Sequence, residues 1–131
     1  FFSGRTIPHL KAFHLNVEQF RSYCLAKRGV TEEFPFGEET LVYKVMGKMF
    51  ALADVTLFKS INLKCDPEQA AELREQYPAV LPGYHMNKKH WNTVLMDGSL
   101  PDKLVKNWID NSYNLVVASL PAKVKAELRS L

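Results

Sequence analysis

Residues 40–55 read TLVYKVMGKMFALADV, and this stretch decides the fold. Two apolar, strand-like runs flank a Gly-Lys pair, the pattern of two antiparallel strands joined by a two-residue turn. A turn at Gly47-Lys48 sets Val45 opposite Phe50 and Tyr43 opposite Leu52. Leu41, Tyr43, Val45, Phe50 and Leu52 then share one face, and Lys44 pairs with Ala51 on the other. SINLKC, residues 60–65, alternates in the same way, with Ile61, Leu63 and Cys65 inward and Asn62 and Lys64 outward. One sheet face is expected to be apolar and covered. The other is expected to be sparse in large residues and to carry Lys44, Asn62 and Lys64.

Helix signals flank these strands. Asn16 with Gln19 three residues later forms a capping-box pattern, and Val17, Phe20, Cys24 and Ala26 or Lys27 give a rough helical stripe until Gly29 supplies a stop. EEFPFGEE, residues 32–39, reads as an acidic loop broken by Pro35 and Gly37. Asp66-Pro67-Glu68-Gln69 is a strong helix start, with an N-cap, a first-turn proline and an acid near the positive end of the dipole. Pro78 ends that helix, and AVLPG, residues 79–83, reads as a loop. Residues 84–86 and 91–96 are then expected as two strands around Asn87-Lys88-Lys89-His90. Pro101 opens the longest helix, with Leu104, Val105, Trp108, Ile109, Ser112, Leu115, Val116 and Leu120 at helical spacing. Pro121 starts a short final helix. The order α-β-β-β-α-β-β-α-α predicts an α+β fold: a two-layer sandwich, an antiparallel sheet with helices on one face.

Composition bounds the function. The chain has 131 residues, 47% of them apolar, enough for one globular domain with a real core. That domain is expected over residues 16–131, with residues 1–15 an N-terminal extension or a cloning remnant. No apolar run approaches the roughly 20 residues of a membrane helix, so no membrane partner and a cytoplasmic location are expected. Cys24 and Cys65 lack a CxxC spacing and suit small core positions, which suggests neither a zinc module nor a disulfide scaffold. The net charge is +3. Residues 1–15 and 122–131 carry +2 each, which leaves −1 for residues 16–121, so any affinity for an anionic polymer must rest on local asymmetry.

Chemistry concentrates in GYHMNKKHW, residues 83–91. His85 and His90 have no carboxylate or cysteine near them in sequence to complete a metal set. No Ser/His/Asp order, nucleophile elbow or glycine-rich phosphate loop occurs, and the acids from Glu32 to Glu39 read as a solvated loop rather than a paired-carboxylate site. No catalytic residue, cofactor or metal is therefore expected. Lys48 at one hairpin tip and Lys88 and Lys89 at the other, with Lys44 and Lys64 between, would suit phosphates, which need only placed cations and amides. Asn87 and His90 complete that candidate set. The alternative is a protein-interaction surface, a second copy or another protein docking on the open face or a free edge.

Four stretches carry a resemblance. PFGEETLVYKVMGKMFAL, INLKCDPEQAAELREQYPAV, PGYHMNKKHWNTV and DGSLPDKLVKNWIDNSYNLVVASLP closely resemble the MmcQ/YjbR family of small bacterial proteins, in order, from about Asn16 to Pro121. The resemblance implies a frataxin-like or secretion-chaperone-like α+β fold. It also implies the DNA-binding role with which the family is commonly labelled, two projecting β-hairpin wings being the contact.

Overall fold

The computed structural model describes residues 15–84 and 86–131. The expectation for the N-terminal extension falls, apart from Leu15, outside the described residues, as does His85.

The helix starts are where local chemistry put them. Helix α1, Val17–Leu25, is closed by a reciprocal capping box: the Asn16 side chain accepts from the Gln19 N–H, and the Gln19 side chain accepts from the Asn16 N–H. Helix α2, Pro67–Gln76, is capped by Asp66. Helix α3, Asp102–Ser119, and helix α4, Ala122–Arg129, complete the layer.

Six strands form one antiparallel sheet: β1 Val30–Glu33, β2 Thr40–Val45, β3 Lys48–Asp54, β4 Ser60–Lys64, β5 Val80–Pro82 and β6 Trp91–Leu95. Their spatial order is β1-β2-β3-β4-β6-β5. All helices pack on one face, over a core that includes Phe20, Tyr43, Phe50, Ile61, Ile109 and Leu128. This is the α+β sandwich the sequence implies, with one edge strand more. Glu32 and Glu33, expected in the acidic loop, lie in β1 opposite Tyr43 and Val42. Arg21 on α1 forks onto both Glu32 carboxylate oxygens and fastens that edge to the helix layer.

Three further expectations are corrected. The hairpin turn is Met46-Gly47, one residue earlier than Gly47-Lys48, because both turn residues take positive φ (49° and 85°) and glycine serves as the second of them. Lys44 accordingly pairs with Met49, not Ala51. The register then shifts between Tyr43 and Lys44, a bulge that makes Phe50 the unpaired residue. Beyond it Val42 sits opposite Leu52, and Leu52 turns to the helix-free face instead of joining Tyr43. Finally, the partner of β6 is Val80–Pro82, inside the expected AVLPG loop, while the described part of 84–86 is loop. Gly83 explains why the strand stops there: a Cβ on it would lie 2.8 Å from both Cβ and the carbonyl oxygen of Trp91, so only glycine lets the chain turn over that residue.

Candidate nucleic-acid interface

The sheet register brings the two hairpin tips to one end. Val45 pairs with Lys48 at the first turn, Lys64 pairs with Trp91, and Pro82 pairs with Asn92, so the Met46-Gly47 turn and the 83–90 loop project in the same direction. The strand order puts three inter-strand spacings, about 14 Å, between them.

The helix-free face between and below these tips is not bare. Val42, Leu52 and Trp91 form a second buried cluster, flanked by Met49 and Met86, which corrects the expectation of a face sparse in large residues. Trp91 is the larger part of that correction, since its ring is covered by the loop that precedes it. Lysines surround the cluster. Lys44, Lys48 and Lys64 line one open depression of about 590 Å³ together with Phe36, Met49 and Trp91. A second depression, about 410 Å³, lies alongside on the other side of Phe36, with Leu52, Asn62, Tyr84 and Met86 among its walls.

The bulge accounts for the depth of the first depression. Phe50 has no partner across β4, and Ser112 of α3 takes over both broken ladder positions: its hydroxyl accepts from the Lys64 N–H at 2.9 Å and donates to the Phe50 carbonyl. The first depression accordingly reaches Val116 and Ser119 of α3. A polar serine in an apolar stripe was the sequence signal for this device, and the sequence reading counted it only as a stripe position.

The predicted site residues divide into three groups. Lys44, Lys48 and Lys64 converge as expected, but the Lys44 ammonium is ion-paired with Glu33 at 3.1 Å. Asn87 and Lys88 build the loop itself. The Asn87 side chain accepts from the Lys89 N–H, its carbonyl accepts from the Trp91 N–H, and Lys88 Nζ donates to the Gly83 carbonyl. Arg74 on α2 holds the loop from behind, donating to the Lys88 carbonyl and to Asn92 Oδ1, which lies at 2.8 Å. Lys89 and His90 are exposed at the tip and form no ion pair among the described residues.

Charge on this face is graded along the strands. The lysines lie at the tip end, whereas Asp54, in the wall of the second depression, lies at the far end, where its side chain accepts from the Thr56 N–H. Between the two ends, Asn62 is held in a fixed orientation. The Tyr84 N–H donates to Thr93 Oγ1 at 2.9 Å, and Thr93 Oγ1 in turn donates to Asn62 Oδ1 at 2.6 Å. That relay leaves the Asn62 amide group as the end presented to the second depression.

Comparison with known proteins fixes the family. The YjbR family model matches residues 25–115. The chain belongs to the YjbR family. It is 35% identical to the YjbR protein of Escherichia coli K12 over 118 residues, 89% of this chain and 100% of that one. It is 39% identical to YbdF of Escherichia coli O157:H7 over 97 residues, 73% of this chain and 80% of that one. Among solved structures, the Deinococcus radiodurans protein DR2400, of domain family DUF419, superposes with a TM-score of 0.83 at 40% identity, covering 88% of both chains. A Pseudomonas syringae protein gives a TM-score of 0.67 at 32% identity over 77% of this chain and 98% of that one.

Burial pushes the Cys24 thiol up to about 12, and burial likewise raises Cys65, so both cysteines are core residues. Tyr23 rises to about 12, first through burial and then through its hydrogen bond to Asp110. Lys27 also contacts Asp110, closing a cluster on the helix side. Among the described residues, no three His, Cys, Asp or Glu side chains come together as a metal site, and no helix is long and apolar enough to cross a membrane.

Proposed function

We propose that this YjbR protein is a non-catalytic DNA-binding domain that contacts phosphates through the tip end of its helix-free sheet face. The observation that carries the reading is the convergence of Lys44, Lys48 and Lys64 around one open depression at the end from which both hairpin tips project. Lys48 and Lys64 are the working cations, because Glu33 already neutralises Lys44. Lys89 adds a third charge from the second tip. Asp54 at the far end repels a backbone there and so confines the phosphate contact to the lysine end.

A salt titration of oligonucleotide binding, read by fluorescence anisotropy, tests this. Two or three phosphate contacts give a slope of log affinity against log salt of about −2. The double substitution Lys48→Glu, Lys64→Glu is expected to abolish binding at low salt and leave the fold intact. Binding that survives it with an unchanged slope excludes this face.

A further inference from the structure

The lysines account for phosphate affinity, but not for the aromatic ring beside them. Phe36 is 64% exposed and lines both the lysine-bearing depression and the second one, whose only charged wall residue, among the described residues, is Asp54. An exposed phenylalanine between two open depressions costs solubility and does nothing for the core. The second depression combines an apolar floor, Leu52 and Met86, with the fixed amide of Asn62. Thr93 Oγ1 accepts from the Tyr84 N–H and donates to Asn62 Oδ1, which leaves the NH₂ as the end of the Asn62 side chain that can donate to a ligand in this depression.

These features suit a base more than a phosphate. In a duplex the base faces are stacked, so a protruding ring reaches one only by prying a base step apart, at a cost of about a few kcal/mol. In a single strand every base has a free face, and an aromatic beside a cationic groove is the usual way to hold it. From Lys48 to Leu52, β3 runs under both depressions for about 13 Å, room for about two or three nucleotides short of Asp54. Charge complementarity orders the contacts, with phosphates at the Lys48 and Lys64 end and an uncharged base beyond Phe36, where Asp54 disfavours phosphate.

Resting on the DNA reading above, we propose that this face binds single-stranded DNA in preference to duplex. The Phe36 ring stacks on a base, and the Asn62 amide donates to a carbonyl oxygen of that base. Phe36 and Asn62 thereby set strandedness, whereas the lysines set overall affinity.

The test uses the full chain with a labelled oligothymidylate, a duplex of matched length and an oligouridylate, on wild type, Phe36→Ala and Asn62→Ala. Oligothymidylate is expected to bind at least about tenfold more tightly than duplex. Phe36→Ala is expected to weaken that binding by about tenfold or more and to leave duplex binding unchanged, with a smaller loss for Asn62→Ala. Because Phe36 is exposed, its removal leaves the fold intact, which thermal unfolding checks. Equal binding of duplex and single strand, with Phe36→Ala silent, overturns the single-strand assignment and leaves the phosphate reading standing. Failure of every oligonucleotide to bind at low salt overturns both. Tighter binding of oligouridylate than of oligothymidylate overturns the choice of DNA. A self-associated species in light scattering that Phe36→Ala disperses, without oligonucleotide binding, also overturns the proposal, since the ring would then serve a second copy of the chain.

Discussion

The two faces of the sheet divide the work of the molecule. Toward the helices, Tyr43, Val45, Phe50 and Ile61 are fully buried and pack against Phe20, Ile109 and Val116, with edge-to-face rings at Phe20–Tyr43 and Phe50–Tyr113. On the opposite face, among the described residues, the buried apolar cluster is Val42, Leu52 and Trp91, and lysines and Phe36 border it. The covered face holds the fold together. The uncovered one is free to carry chemistry because little stability depends on its borders.

Mutations on the two faces put that contrast at risk. Phe50→Ala, on the helix side at the bulge, is expected to cost about 3–5 kcal/mol, measured by urea unfolding. Leu52→Ala, two residues on and facing the other way, is expected to cost about 2 kcal/mol, since its cluster is small and bordered by an open depression that relaxes. Equal losses would erase the distinction between the faces. Ser112→Ala joins the two regions, because its hydroxyl serves Phe50 and Lys64 at once. Its removal is expected to cost about 1–2 kcal/mol and to speed amide exchange at Lys64, on the groove side.

The smallest effect lies at the edge strand. Arg21 holds the Glu32 carboxyl below its ordinary range, first by hydrogen bonding. A depressed carboxyl stabilises the fold above its unfolded pKa of about 4.3 and loses that contribution as pH falls through the lower folded value. Both side chains are partly solvated, so the gain is slight. The urea midpoint of Glu32→Gln is expected just below that of wild type at neutral pH, the gap closing in acid. A gap that widens in acid contradicts the assignment.

Much of the covered face was legible in the sequence, and little of the other. Asn16 with Gln19, and Asp66 with Pro67, mark helix starts through local hydrogen bonds that distant contacts do not alter. The sheet order of strands Thr40 to Lys64 follows from the short connections between them. The bulge does not, because MFALA, residues 49–53, is apolar at every position and gives no alternation to break, which is why Leu52 was assigned to the wrong face. Val30–Glu33 reads as charged, yet edge strands tolerate charge, and here Arg21 and Lys44 pair with the two acids. Val80–Pro82 ends in a proline that an edge strand can accept and a central one cannot. At the site, the lysines were visible as turn and strand residues. Phe36 was hidden between Pro35 and Gly37, where its exposure depends on the tertiary course of the loop. Ser112 was hidden in a helix stripe, since its partners are carbonyl and amide groups of distant strands.

The central claim is that ligand chemistry belongs to the helix-free face, and an NMR titration tests it most directly. Isotope-labelled protein is titrated with a short oligothymidylate at low salt while the amide resonances are followed. The account predicts shifts concentrated at Phe36, at Lys44 to Met49, at Asn62 to Lys64 and around the 83–90 loop, with the Tyr23–Asp110 cluster and α4 unmoved. Shifts centred on Tyr23, Lys27, Lys106 and α4 instead would contradict it, and would move the binding surface to the helix side.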